Sequence, residues 1–242
     1  VALSTVVGIS LVLYLLVMVG LGLIAQSRID SVEDYVLAGR RLGLGFATAT
    51  LLATWFGAGT LLVSTDEVRV SGMQAAALDP IGAGVCLLLA GWWIAKPLWS
   101  MNLLTLPDFY GRVYGPRAER MAAVLMIPGY YGWIAAQFVA LAHILELYLG
   151  FPPHIGLPIV ALVGMGYTLI GGMWAVTLTD AVQLALMVFG LVVIGLEVLW
   201  ELGAGSFSGG WERFLTEVPA EKLNPLPTRE TWPAWAALFA AG

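Results

Sequence analysis

The chain has 242 residues, 60% of them hydrophobic and 11% charged, with a mean hydropathy of +0.87 and a formal net charge of −5. Soluble domains carry about 25% charged residues, so this composition excludes a water-soluble globular protein and indicates a chain that crosses a membrane several times. The lone Cys86 excludes a disulfide framework and a cysteine metal site, and the absence of any basic run excludes a nucleic-acid surface.

In chain order, the apolar run 3–25 is longer than the apolar region of a signal peptide. No basic segment precedes it and no small-residue cleavage site follows, so it reads as a retained helix. Crossing hydrocarbon takes about 20 apolar residues. Runs of that order predict further spans at 44–66, 76–99, 118–149, 155–175 and 179–202, with a seventh beginning at 232. The run "WPAWAALFAAG" (232–242) is too short to cross, and the sequence is therefore expected to be a fragment, with 1–242 forming one transmembrane domain. Loops are expected at 26–43 and 100–117, an outer turn at 66–75, a Pro-rich turn at 150–154 and a tight turn at 171–178. The long loop 203–231, rich in Gly, Pro and Glu, is compatible with a short surface helix. With the N-terminus outside, the inner loops hold Arg28, Arg40, Arg41, Lys96, Arg112, Arg117 and Arg120, and the outer ones Arg69, Arg213, Lys222 and Arg229. The excess of basic residues inside favours that orientation.

The stretch "LLATWFGAGTLL" (51–62) places Gly57, Ala58, Gly59 and Thr60 in mid-span. Small residues there let helices pack closely. They also make a weak helix, and an interruption exposes backbone groups that protein, ion or water must satisfy. Trp133 and Gln137 lie four apart on one helix face, either as a packed Trp with a bonded amide or as the wall of a polar cavity. Asp79-Pro80 reads as a helix cap followed by a first-turn proline. Asp180, with Gln183 three residues on, fits a capping box at the start of the 179–202 span. At the centre of a span an acid would cost about 2.5–3.5 kcal/mol. His143 and Glu146 read as interfacial polar residues, and Glu197 and Glu201 as acids reaching to water. No nucleophile–base constellation, phosphate loop or metal cluster appears in the sequence, so it carries no enzyme signature and no organic cofactor is expected.

Four pieces occur in order: "SVEDYVLAGRRLG" (31–43), "LLATWFGAGTLL" (51–62), "LTLPDFYGRVYG" (104–115) and "YTLIGGMWAVTLTDAVQ" (167–183). Together they resemble the sodium/solute symporter family, which includes sodium/proline and sodium/glucose cotransporters. The most specific piece is Gly171, Gly172, Ala175, Val176, Thr179, Asp180 and Gln183. The resemblance implies an all-α, LeuT-like inverted repeat with an extra N-terminal helix, of which this chain holds the first repeat and the start of the second. It implies that the carbonyls of Ala53 and Phe56 help to hold Na⁺, the coupling ion, and that Asp180 lies on the sodium route to the cytoplasm. It also implies that Trp133 lines the solute cavity, where residues 57–60 and Gln137 would join it. Some members have an Asp at the position of Trp55, which leaves proton coupling open here. The function implied is sodium-coupled import of a small polar solute (an amino acid, sugar or carboxylate) by alternating access across the plasma (inner) membrane. The alternatives are a symporter-like sensor module of a signalling kinase and, less well matched, an ion channel.

Overall fold

The computed structural model describes residues 3–57 and 59–241. The described residues are almost entirely helical and include no strand. Leu3–Gln26 (α1) is followed by the short Val32–Leu37 (α2) and by Leu44–Trp55 (α3). A wider π-helical turn, Gly59–Ser64, leads into Thr65–Ser71 (α4). Irregular helical turns over Met73–Ala77 and Leu78–Gly82 open Ala83–Ala90 (α5), which continues through Gly91–Ala95 into Lys96–Ser100 (α6). Then come Leu106–Tyr114 (α7), Pro116–Leu149 (α8), Pro153–Leu202 (α9), Phe207–Glu217 (α10), Ala220–Leu223 (α11) and Trp232–Ala241 (α12).

Among the described residues, four stretches are long and apolar enough to cross a membrane: Thr5–Gln26, Met73–Ser100, Pro116–Leu149 and Pro153–Leu202. Val32–Arg40 and α3, bent by 106°, count as a fifth if taken as one broken span. Side chains such as Leu169, Leu186, Phe189 and Ile194 stand exposed along α9. Continuous apolar surface of this kind is a surface for hydrocarbon, not water. The expected inter-span loops carry more structure than their composition indicates. Residues 26–43 contain α2 and 100–117 contain α7, while 203–231 hold the short helix expected there as α10, followed by α11. In place of the tight turn expected at 171–178, α9 departs from helical geometry at one residue, Gly172 (φ 51°, ψ −147°).

The chain forms two compact units, one of Val1–Thr54 with Leu103–Gln183 and one of Trp55–Asn102 with Leu184–Gly242. In the first, α1 and α9 cross through small residues. A side-chain carbon added at Gly171 would stand 2.8 Å from the Gly22 carbonyl, and one added at Gly172 would stand 2.6 Å from the Tyr35 carbonyl. The absence of a Cβ there brings backbones together, the usual means of helix association in membranes. Ala25, Ala38, Trp174 and Ala175 form the buried cluster at the crossing, and Arg28 lies over the Trp174 ring at 5.0 Å. The loop motif 31–43 folds onto the same place. Ser31 caps α2, Asp34 receives the Ser31 hydroxyl at 2.8 Å and the Arg41 guanidinium, and Arg40 pairs with Glu33 at 2.9 Å. Gly39 turns the chain at φ 61°, where an added side chain would collide with Asp34 and Arg41. The motif is thus a clasp of charge and turn geometry that also reaches α9 through Tyr35.

In the second unit, Gly82 packs on the backbone of α12, with an added carbon only 2.6 Å from the Phe239 carbonyl. Trp232, Trp235 and Phe239 stack along α12, and the Trp235 indole N–H is given to the Pro225 carbonyl at 3.1 Å. Lys222 reaches back to the Arg69 carbonyl at 3.0 Å, tying the 203–231 loop to the end of α4.

Two outcomes follow from this packing. Gly172→Ala adds a carbon in a left-handed backbone against a carbonyl that cannot move independently. It is expected to cost about 2 kcal/mol or more, read as a lowered thermal midpoint of the purified protein. Gly190→Ala, which meets nothing within 4 Å, should leave the midpoint unchanged or raise it. At the start of α7, the Thr105 and Leu104 amides and the Thr105 hydroxyl, 2.8–2.9 Å from Asp108, hold its carboxyl below the usual aspartate range. A carboxyl that binds its proton more weakly when folded stabilises fully above its unfolded pKa and loses that contribution as pH falls through the folded value. The difference in thermal midpoint between wild type and Asp108→Asn should therefore be constant above about pH 5 and shrink as pH falls below about 4.

Candidate functional site

Helix α3 ends where the sequence stops supplying helix formers. Phe56 and Gly57 form a turn in which the Gly57 N–H is donated to the Trp55 carbonyl at 2.7 Å. In an uninterrupted helix that N–H would go to residue 53. Helical geometry resumes at Gly59 as a π turn, and the Leu61 N–H takes up the Gly57 carbonyl at 3.1 Å. The Thr60 hydroxyl lies 3.0 Å from the Trp55 carbonyl and 3.2 Å from the Asp79 carboxylate. It has one proton and can serve only one of them at a time. The indole N–H of Trp55 is donated to the other Asp79 oxygen at 2.9 Å. Two interrupted segments therefore meet through side chains: the turn after α3, and Leu78–Gly82, where Asp79 itself is extended (φ −138°, ψ 122°).

Asp79 is thus not the plain helix cap that the Asp-Pro pair indicates in sequence, because its carboxylate is turned to the earlier break rather than to the backbone of the helix it precedes. Its partners lie 24 and 19 residues back in the chain, beyond any local pattern. The signal that could have found it is an acid inside an otherwise apolar span.

The remaining candidates are placed as follows. Ala53 occupies the last turn of α3 and is half-buried, and Phe56 is half-buried in the turn beyond it. They fall on either side of the boundary between the two units. Gly57, Gly59 and Thr60 belong to the interruption, while Ala58 lies outside the described residues. Trp133 and Gln137 sit one turn apart in α8, Trp133 exposed and Gln137 half-buried, in the unit that does not contain residues 57–60.

Asp180 corrects the capping reading. Helical geometry is already re-established after Gly172, so Asp180 lies two turns inside α9. Gln183 does not reach back to it; the Gln183 amide is donated to the Tyr14 hydroxyl of α1. The Thr179 hydroxyl is given to the Ala175 and Val176 carbonyls (3.0 and 2.8 Å), the satisfaction expected of a helix-interior threonine. Asp180 is nearly buried, and its Oδ2 has no hydrogen-bond partner among the described residues. The Thr50 hydroxyl lies nearby and is likewise unpartnered, as is that of Thr177. An unmet carboxylate oxygen among hydroxyls is an oxygen-rich locus of the kind hard cations prefer.

The comparisons with known proteins bear on the whole of this region. The family model described as "Sodium:solute symporter family" matches residues 35–227. The chain belongs to the sodium:solute symporter family. Its relatives include the high affinity choline transporter 1 of Homo sapiens, 37% identical over 163 residues, which cover 66% of this chain and 28% of the relative. The corresponding protein of Drosophila melanogaster is 31% identical over 193 residues, covering 76% and 30%. The sodium/proline symporter of Salmonella typhimurium is 32% identical over 219 residues, covering 87% of this chain and 43% of that protein. The chain thus spans less than half the length of the curated relatives it matches. As a symporter-family member with four or five apolar helical stretches long enough to cross, it is an integral membrane protein.

Proposed function

We propose that the protein is a sodium-coupled secondary transporter that imports a small polar solute by alternating access, with its N-terminus outside the plasma (inner) membrane. The chain would form one transmembrane domain carrying the first repeat, and the opening of the second, of a LeuT-like inverted-repeat fold with α1 as its extra helix. The observation that carries this reading is the interruption at 55–60. A membrane span gives up its hydrogen-bond ladder only where other groups take over, and secondary transporters place ion and solute sites at such breaks. The family membership supports sodium as the coupling ion, and the names of the relatives support choline-like or proline-like solutes. The sensor-module alternative gains nothing from these matches.

In this reading the carbonyls of Ala53 and Phe56 contribute to the sodium site. Asp180, with its unmet oxygen, lies on the ion's path to the cytoplasm. Gly57, Ala58, Gly59 and Thr60 line the solute cavity with Trp133 and Gln137. Na⁺ binding favours the outward-open state and completes the solute pocket, and each ligand then raises the affinity of the other by the same factor.

The complete gene product, reconstituted in liposomes, tests the reading. An inward sodium gradient should accelerate uptake of labelled choline or proline by about tenfold or more over a potassium gradient, and equal rates with both gradients would reject it. Gly57→Leu should abolish that uptake while leaving membrane insertion intact. Normal transport by the variant would remove residues 57–60 from the cavity wall. Asp180→Asn keeps the shape of the side chain but not its charge. It should raise the sodium concentration for half-maximal uptake by about tenfold, and an unchanged sodium dependence would leave Asp180 a packing residue only.

A further inference from the structure

Helix α7 and the start of α8 pack as a pair within one unit, and they face each other in the reverse of a soluble arrangement. Leu106, Tyr110 and Val113 recur at i, i+4 and i+7 and form one face of α7, with Asp108, Gly111 and Arg112 opposite. The polar face is the one turned to α8, where Gly111 sits against the Glu119 carboxylate. The apolar face stands open: Leu106, Tyr110 and Val113 are 46%, 38% and 50% exposed. In an integral membrane protein, a short amphipathic helix beside the end of a span, with its apolar side outward, has the form of an interfacial helix. Between its start and α8 lies a groove of about 570 Å³. Leu106 and Pro107 belong to one wall, and Arg120, Ala123, Met126, Ile127 and Tyr130 run along the other. At 1.5 Å per residue the second wall extends roughly 15 Å along α8, about half the thickness of the hydrocarbon core.

The groove is graded from charge to hydrocarbon. Two acids line its mouth. The Asp108 carboxylate is engaged by the Leu104 and Thr105 amides and the Thr105 hydroxyl at 2.8–2.9 Å, and Glu119 lies against Gly111. Arg120 gives its Nε–H to the Pro116 carbonyl at 3.3 Å, and its two terminal nitrogens have no hydrogen-bond partner among the described residues. Arg117 stands exposed one turn earlier on the same stripe. The ion pairs among the described residues involve neither arginine. We propose that this groove holds one anionic phospholipid, its phosphate at Arg117 and Arg120 and one acyl chain along Ala123, Ile127 and Tyr130. The orientation given above places it in the inner leaflet, where anionic lipids and basic pockets meet; the site does not depend on transport. Both ends of the groove argue for this occupant. A partner helix packs in a membrane through small residues, and this wall offers Met126, Ile127 and Tyr130. A polar solute would meet no polar side chain on this wall between Arg120 and Tyr130. A molecule with an anionic head and a tail one leaflet long matches the basic mouth and the apolar wall together.

The test uses the purified complete protein in detergent. Its probes are phosphatidylglycerol and phosphatidylcholine with the same acyl chains, and bound lipid is read by native mass spectrometry. Wild type should bind phosphatidylglycerol about tenfold or more tighter than phosphatidylcholine. The double variant Arg117→Gln, Arg120→Gln should bring the two lipids within about twofold of each other. Arg229→Gln removes an exposed charge in the 203–231 loop and should leave the preference unchanged. Ala123→Trp fills the apolar wall and should weaken both lipids by about tenfold. Equal binding of the two lipids by wild type would overturn the proposal. So would a preference that survives in the double variant, or one that falls as far in Arg229→Gln, which would reduce it to general attraction of charge. Unchanged lipid binding by Ala123→Trp would show that the rest of the protein covers the groove, and would overturn it as well. Sodium-gradient uptake is scored separately. Bound lipid without sodium-driven uptake would reject the transporter reading and leave the lipid site standing.

Discussion

The structure depends on the rule that hydrocarbon offers no hydrogen bonds, so a span may break its ladder only where the chain itself receives the freed groups. Two breaks obey it differently. At Gly172 the interruption is closed by approach of backbone. The Tyr35 main chain fits into the space a side chain would occupy, and the Tyr35 hydroxyl, 3.4 and 3.3 Å from the Thr168 and Leu169 carbonyls, serves the turn just before the break. That break is finished and has no capacity left over. At 55–60 the Trp55 carbonyl receives the Gly57 N–H, and the single Thr60 proton is shared between that carbonyl and the Asp79 carboxylate. The first break is closed by packing, and the second leaves one hydroxyl shared between two acceptors.

Small residues make the first arrangement possible. Gly22, Ala25, Gly171 and Ala175 thin the crossing of α1 and α9 until backbones nearly touch. In a membrane the driving force is dispersion rather than release of water, so close approach decides the energy. The Gln183–Tyr14 hydrogen bond then joins the same two helices one step further along. Interhelical bonds of this kind contribute about 0.6–2 kcal/mol. That is enough to fix rotation about the helix axis and too little to drive association alone. The specific sequence motif 171–183 is therefore largely a docking motif, and Asp180 is the member whose chemistry docking does not use up.

Helix existence was legible because about 20 consecutive apolar residues admit few other meanings. The interruption at Gly57 and Gly59 was legible because glycine in a span has few uses. What escaped was tertiary. Asp180 looked like a cap because an acid followed by a glutamine three residues on is a common helix start. The true break fell eight residues earlier, since Gly172 alone can adopt the left-handed backbone that Tyr35 requires. Asp79 looked like a cap for the same local reason, and only the fold brings Trp55 and Thr60 to it. The α7 helix in the 100–117 loop was hidden by its short amphipathic run, although Thr105 and Asp108 announce its start once the pair is seen as a capping box.

Two acids stand out from the membrane-embedded part of this chain, and their surroundings differ in kind. Asp180 is buried near Thr50, Tyr14 and Tyr167 and holds an oxygen with no hydrogen-bond partner among the described residues. Asp79 is half-buried and oriented by the Trp55 indole N–H, with the Thr60 hydroxyl shared between it and the Trp55 carbonyl. Trp55 gives the break at 55–60 a neutral donor, and the carboxylate that its indole N–H orients comes from the neighbouring interrupted segment, so each break settles its polar groups with partners of its own unit.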